Sequence, residues 1–503
     1  MTVDDITAAS AAELARRLRA RDLCAVEVFD AFVARVEARN PALNALIRFD
    51  PAPGRAEAQR ADARAAAGEH GPLLGVPYTI KDTIWVKGQV ISQGSSLFSD
   101  FVAPADAVAV RRMRAAGGVL LGITNCSEFA CKGVTTNQLY GPTRNPWSME
   151  LTPGGSSGGA ASAVAAGLCP IALATDAGGS TRRPAAHAGT VGMKPSAGLI
   201  PHPVGFVEPV FGNSVIGQVA RTVEDVALLL DVLAGPDSAD PASLRAPTVA
   251  DFRTSLHNTA RVSIGFSPRL GLGFAVDEDV AASVRAAVMR LQARGVQVEE
   301  ADPDWPQGTS EDALMPLQLA GLAAIYGQKY RDRAWDVDPD IARQIEAGFT
   351  ITGADAARAL LLRDEAYRRL HQYFQRFDFL ITPTTPCTAW PLTQLGPSVI
   401  EGRAVSSRGH AVFTPIFNHT FMPACSVPCG LDRNGLPVGL QIVGPPFSDS
   451  RVLSLAAMVE ATNDVDFRMP HFAAGTRSPA EATMGSANPG SRVASALRLD
   501  THT

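Results

Sequence analysis

The sequence predicts a layered α/β fold, and three observations carry that expectation. Helical periodicity alternates along the chain with short, nearly continuous apolar runs, the pattern of strands buried between helical layers. Hydrophobic residues make up 46% of the 503 positions and charged residues 19%, enough apolar material for a substantial core in a large globular protein. No internal repeat or interdomain linker interrupts the pattern, so one large domain is the economical organisation.

The elements follow in order. Ser10-Ala11-Ala12-Glu13 reads as a capping box opening a helix whose Leu14 and Leu18 share a face. Val26, Phe29, Val33 and Val36 continue the pattern in a second helix, and the Ala/Arg/Glu-rich stretch 51–71 favours a third. Leu73 to Ile80 reads as a strand ending at Lys81. Val108 to Ala116 has helical spacing, Gly117-Gly118 punctuates it, and Val119 to Ile123 is a short strand. Arg261 to Phe266, the face Val280, Val284, Val288 and Leu291, and Val296 to Val298 make a βαβ unit. Between the first two, Gly271-Leu272-Gly273 is an incomplete glycine motif, better read as a turn than as a nucleotide loop. Ala354 to Phe377 forms a long helix and Phe379 to Thr382 a strand stopping at Pro383. Cys425 to Leu431 and Leu436 to Val443 flank Asn434-Gly435, a hairpin signal.

Composition excludes several classes of function. A net charge of −5 and a pI near 6.0 give no electrostatic footprint for nucleic acid or an anionic membrane surface. The longest apolar run, Ala160 to Thr175, is broken by Gly167 and Pro170 and falls short of the ~20 residues that span a bilayer. Met1 to Asp5 lacks the basic and apolar regions of a signal peptide, so a cytoplasmic protein is expected. The seven cysteines are an odd number thinly spread, which fits free thiols in a reducing compartment. Cys425 and Cys429 have no matching pair at ligand spacing, and neither a metal nor another cofactor is implied.

The chemistry concentrates between Thr152 and Arg183. Thr152-Pro-Gly-Gly-Ser-Ser-Gly-Gly159 and Asp176-Ala-Gly-Gly-Ser-Thr-Arg-Arg183 lie on either side of the apolar run. Glycine lets backbone N–H groups approach a ligand, so each cluster can present a hydroxyl beside free amide donors, the raw material of acyl transfer. A serine nucleophile needs a base, and the histidines near the site, His187 and His202, share no pattern with it. Lys81 is the better choice, because a lysine at the end of a buried strand loses solvation and is left as a neutral amine able to accept a proton.

On these residues the chain resembles the amidase signature hydrolases. The family's lysine, first serine and second serine fall on Lys81, Ser156 and Ser180, separated by 75 and 24 residues. The likeness runs from about residue 6 to 465, through Gln93-Gly94-Ser95, Thr124 to Phe129, Asn145-Pro146-Trp147, Gly192 to Pro195, Leu380 to Pro383, Phe417-Asn418 and Gly435 to Gly444. It implies a single α/β domain with a central mixed, twisted sheet covered by helices on both faces. That domain would span 1–478, with N-terminal helices at 6–70, a signature core at 72–200 and further α/β structure and substrate loops at 201–478. Residues 479–503, rich in Ser, Ala, Gly and Pro, are expected to be a mobile tail.

The resemblance also implies roles. Lys81 is the base, Ser156 the relay, joined to Gly155 by a cis peptide bond, and Ser180 the nucleophile. The backbone N–H groups of Ala177, Gly178, Gly179 and Ser180 form the oxyanion hole, with Asp176 and Arg182 supporting the loop. Gly155-Ser156-Ser157-Gly158-Gly159 also matches a nucleophile elbow centred on Ser157, but that motif must follow a buried strand and the preceding residues read as a loop. The chain departs from the family's usual residues at Ile123, Thr181, Arg183 and His187. The expected substrate is a small, neutral, partly apolar amide, an aryl amide or a carbamate, with Pro203 to Phe211 and Leu314 to Tyr330 available as pocket walls; a homodimer rests on analogy alone. The alternatives are the amidase subunit of an aminoacyl-tRNA amidotransferase and a catalytically silent binding protein.

Overall fold

In the computed structural model, which describes residues 1–247, 251–257, 262–310 and 312–467, the apolar runs become one mixed sheet. Its strands are β1 (Leu46–Arg48), β2 (Pro77–Lys81), β3 (Val119–Thr124), β4 (Ile171–Asp176), β5 (Val191–Lys194), β6 (Val215–Ala220), β7 (Ser263–Phe266), β8 (Gln297–Glu300) and β9 (Phe379–Pro383), a separate two-stranded pair β10 (Val399–Ile400) and β11 (Arg403–Ala404), then β12 (Ala424–Leu431) and β13 (Pro437–Val443). The order across the sheet, among the described residues, is β1-β3-β2-β4-β6-β5-β12-β13-β9-β7-β8. β2 runs parallel to β3 and β4, and β7 runs parallel to β8 and β9. The centre, from β4 through β6, β5, β12 and β13 to β9, is antiparallel.

Every residue of β2, β4, β6 and β13 is buried. Since successive side chains point to opposite faces of a sheet, a strand buried at every position has both faces covered. The helices Gly158–Ala165, Arg182–Ala188, Val223–Leu233, Glu278–Ala293 and Asp449–Ala461 supply that cover.

Most expected elements stand within a few residues of their place. The βαβ unit forms as β7, the helix Glu278–Ala293 and β8, with Val280, Val284, Ala287, Val288 and Leu291 buried. The first strand is shorter than expected, because Leu73 to Val76 is a turn in which the Val76 N–H donates to Leu73 O. Ser10 caps its helix, accepting from the Glu13 N–H at 3.1 Å, but Glu13's carboxylate turns to Arg17 at 2.7 Å, so the reciprocal half of the capping box is not made. In the next helix, Ala25–Leu43, the buried stripe is Ala25, Val28, Phe29, Phe32 and Val36, with Val26 and Val33 at its edges. The hairpin between β12 and β13 closes through a five-residue loop in which Asp432 Oδ1 accepts from the N–H groups of Asn434 and Leu436. Gly271 and Gly273 sit in a turn at positive φ.

The apolar run Ala160 to Thr175 is two elements. The helix Gly158–Ala165 ends where Gly167 takes φ +70°, with the N–H groups of Gly167 and Leu168 donating to Val164 and Ala163, and the chain then reverses into β4. That reversal carries the two serine clusters to the same edge of the sheet. No described helix is long and apolar enough to cross a membrane. The expected tail, 479–503, lies outside the described residues.

Candidate active site

The site forms at the C-terminal ends of the adjacent parallel strands β2 and β4, where ligand sites of α/β sheets commonly lie. Lys81 is the last residue of β2 and is fully buried. Its Nζ lies 2.7 Å from Ser156 Oγ and 2.8 Å from Thr175 Oγ1, the latter on neighbouring β4. Burial pushes the Lys81 ammonium down to about 8, with Glu208 and Asp176 opposing that shift. With that value roughly a tenth of the amine is neutral at pH 7 and about half at pH 8, a fraction on which a general base can draw.

Ser156 is buried and follows a cis peptide bond from Gly155. Ser180 sits at the floor of a cavity of about 560 Å³ whose lining also includes Thr175, Ala177 and Gly178. Gly179 takes φ +108°, and a Cβ there would stand 2.1 Å from Thr414 Oγ1, so glycine is required on both counts. Its N–H donates to Asp176 Oδ1 at 2.6 Å. Among the described residues no acceptor takes the amides of Ala177, Gly178 or Ser180. The loop thus leaves the amides of the cavity-lining Ala177 and Gly178 without an acceptor and uses that of Gly179, expected in the oxyanion hole, to hold its own shape.

Asp176 and Arg182 lock that loop. Both are fully buried, and the guanidinium grips the carboxylate through Nε–Oδ2 and Nη2–Oδ1 contacts of 3.0 Å each. Arg182 Nη1 also donates to Gln441 Oε1 on β13 at 2.7 Å, and Nη2 donates to Asn418 Oδ1. Asn418 returns Nδ2 to Asp176 O at 2.9 Å. Burial alone would raise the Asp176 carboxyl, but Arg182, Lys194 and Asn418 more than offset it and hold the group well below the usual carboxylate range.

Ser157 is placed elsewhere. It stands at the residue before the helix Gly158–Ala165 without capping it through its side chain, its hydroxyl donates to Thr175 O at 3.2 Å, and a loop rather than a strand precedes it. The departures from the family's usual residues divide between core and cavity. Ile123 is a buried neighbour of Ile80 in the sheet. Thr181 packs where Gly217 leaves room, and its hydroxyl has no partner among the described residues. His187 is buried edge-on against Trp390 with neither ring nitrogen paired, and burial pushes it down to about 3, so it is no base near neutral pH. Arg183 lines the cavity.

Both apolar stretches expected as walls reach the cavity in part. Leu314 to Leu319 and Pro209 and Val210 line it, whereas Phe206 packs with Trp85, Phe98 and Phe101, and Tyr326 stacks on Phe129 at 3.9 Å. Sequence reading missed Thr175 as a second partner of Lys81, Gln441 as an anchor of Arg182, and Arg408 and His410 as lining residues, and it took the wall stretch that holds Glu208 as apolar. Gln441 lies inside a family landmark, Gly435 to Gly444, with nothing local to mark it. Glu208 lies inside a stretch that reads as apolar.

This geometry coincides with what sequence and structure comparison find. The Amidase family model matches residues 27–453. The chain belongs to the amidase signature family. Acylamidase from Rhodococcus erythropolis is 37% identical over 464 residues, covering 92% of this chain and 97% of that protein. One component of the glutamyl-tRNA(Gln) amidotransferase of Symbiobacterium thermophilum is 37% identical over 473 residues, covering 89% and 95%. The crystal structure of a bacterial aryl acylamidase of the family superposes with a TM-score of 0.82 at 30% identity, covering 90% of this chain and 96% of that one. This amidase is accordingly a hydrolase of carbon–nitrogen amide bonds built on an α/β fold, with its mixed sheet flanked by helices.

Proposed function

We propose that this amidase cleaves small, partly apolar amides through an acyl-enzyme on Ser180. The observation that carries the reading is the 2.7 Å contact between a desolvated Lys81 and Ser156 at the floor of the cavity that Ser180 lines. Neutral Lys81 takes the proton of Ser156, which takes that of Ser180, and Ser180 Oγ attacks the carbonyl carbon. The oxyanion receives the N–H groups of Ala177, Gly178 and Ser180, each such donor contributing about 3 to 4 kcal/mol. Collapse breaks the C–N bond, the leaving amine takes a proton through Ser156 from the Lys81 ammonium, and water releases the acyl group by the reverse sequence.

The mixed lining, with Leu314, Met315, Leu317, Val210 and Pro415 beside polar groups, suits an aryl or alkyl amide, and a carbamate presents the same carbonyl. The acylamidase and aryl acylamidase relatives support the amide over the carbamate. We further propose a cytoplasmic enzyme, with a homodimer as its assembly. The equally similar amidotransferase component supports a second reading, in which glutamine is the substrate and partner proteins copurify.

The test is a fluorophosphonate. Reacted with the purified protein and mapped by peptide sequencing, it is expected on Ser180 and to be lost in Lys81→Met. An adduct on Ser157 would overturn the assignment. Hydrolysis of 4-nitroanilides without added partners, with glutamine untouched, separates the free-standing amidase from the amidotransferase component.

A further inference from the structure

Among the described residues three carboxylates line the cavity, Glu208, Asp312 and Asp340, and they differ in how they are paired. On one wall the charges neutralise one another: Lys132 pairs with Asp338, Arg343 with Asp340, and Arg408 stands 3.7 Å from Asp312. Glu208 stands apart from that network. Its ion partner is an imidazole, His202 Nε2 at 3.5 Å from Oε1, and its side chain remains 30% exposed to the space that Ser180 lines. His202 is fixed from behind, its backbone N–H donating to Asp240 Oδ2 at 3.0 Å, and its Nδ1 is buried with no partner among the described residues. Burial works against charge on both groups, but His202, Ser214 and Lys81 more than offset it for Glu208, and Glu208 and Asp240 for His202, so Glu208 is held below its ordinary value and His202 above it.

A carboxylate kept ionised, partly desolvated and open to a substrate cavity is an acceptor awaiting a donor. We propose that Glu208, positioned by His202, is the specificity-determining residue of a subsite that binds a primary ammonium or an N–H donor on the substrate and disfavours substrates bearing a carboxylate there. The inference rests on the hydrolase reading above and refines it: the apolar walls take the hydrocarbon part of the substrate and Glu208 takes a polar end. His202 Nε2 and the Ser214 hydroxyl take part of the carboxylate's acceptor capacity, and the lone pairs they leave are open to the ligand.

The experiment uses two series of 4-nitroanilide-type substrates. In one, acyl chains of equal length end in a methyl, an ammonium or a carboxylate; in the other, the same three groups stand on the anilide ring. The kcat/KM of each is measured for wild type, Glu208→Gln and His202→Gln, and the Kd of each in a Ser180→Ala background with and without Glu208→Gln. In one series the ammonium substrate is expected to lead the methyl one, and Glu208→Gln to erase that lead by about 10- to 100-fold, as for a hydrogen bond to a charged group. The carboxylate substrate improves relative to the methyl substrate, to which every rate is normalised because Glu208 also acts on Lys81, and His202→Gln gives a partial loss. Equal effects of Glu208→Gln on all three substrates in both series, or no ammonium preference in wild type, would overturn the subsite. Absence of turnover with the Kd preference intact would instead sink the hydrolase reading and leave the subsite standing.

Discussion

Behind the cavity lining Lys81, Ser156, Asp176 and Arg182 are fully buried and hydrogen-bonded to one another or to neighbouring strands, and they support its floor. Along the walls Met315, Gln318 and Glu208 keep part of their surface open, on a helix and a loop from distant parts of the chain. The helix Met315–Arg331 packs chiefly on the helices Pro339–Gly348 and Gly353–Tyr373, whereas the nucleophile loop is tied into the central sheet. The floor is therefore over-determined and the walls are separable from it. Substrate choice can change without disturbing the chemistry, because the two are fastened to different layers.

Substitutions test that contrast in descending order of effect. Ser180→Ala and Lys81→Met should each lower kcat/KM by about 10⁴-fold or more, with Ser180→Ala leaving the thermal midpoint nearly unchanged. A Lys81→Met enzyme within tenfold of wild type would break the relay. Arg182→Met strands a buried carboxylate and should cost about 3–5 kcal/mol in urea unfolding, with Asp176→Asn added on top recovering part of it.

Acidity probes the floor without mutation. On the proposed relay the neutral Lys81 amine is the active form, so log kcat/KM should rise with unit slope and level off above about 8. A profile flat from pH 6 to 9 would rule the lysine out as base. Stability should move with it: between about 8 and the ordinary lysine value of 10.5 the unfolded chain binds the Lys81 proton and the folded one does not. The contribution of this group to unfolding free energy therefore increases with pH across that window. On the wall, Met315→Ala should shift the preference among acyl chain lengths by about tenfold, with little change in the pH profile. The smallest effect belongs to Ser157→Ala. Its hydroxyl faces a backbone carbonyl, and activity should stay within about threefold.

What the sequence revealed follows the same division. Short apolar strands and periodic helices were readable because burial on both faces imposes a composition, and Lys81 stood out because a cation at the end of such a run needs a reason. The two glycine-flanked serines were readable because tight backbone geometry admits few residues, as the crowding at Gly179 illustrates. That the Gly179 amide would turn inward to Asp176, leaving the amides of Ala177 and Gly178 to face the cavity, depends on a carboxylate orientation that spacing does not encode. The walls were legible only in outline. Leu314 to Leu319 advertised themselves by apolarity, while Glu208 was hidden among apolar neighbours and gained meaning only when folding set it beside His202 and above Ser180.

The grip of Arg182 on Gln441 and Asn418 has a consequence in time as well as in space. A ribosome that has added residue 400 has already made every side chain assigned to the chemistry. It has made none of the acceptors outside the nucleophile loop, Thr414, Asn418 and Gln441, on which that guanidinium closes. The support of the nucleophile loop therefore cannot be complete in a nascent chain before its last hairpin is made, and activity is expected only once synthesis has passed β13.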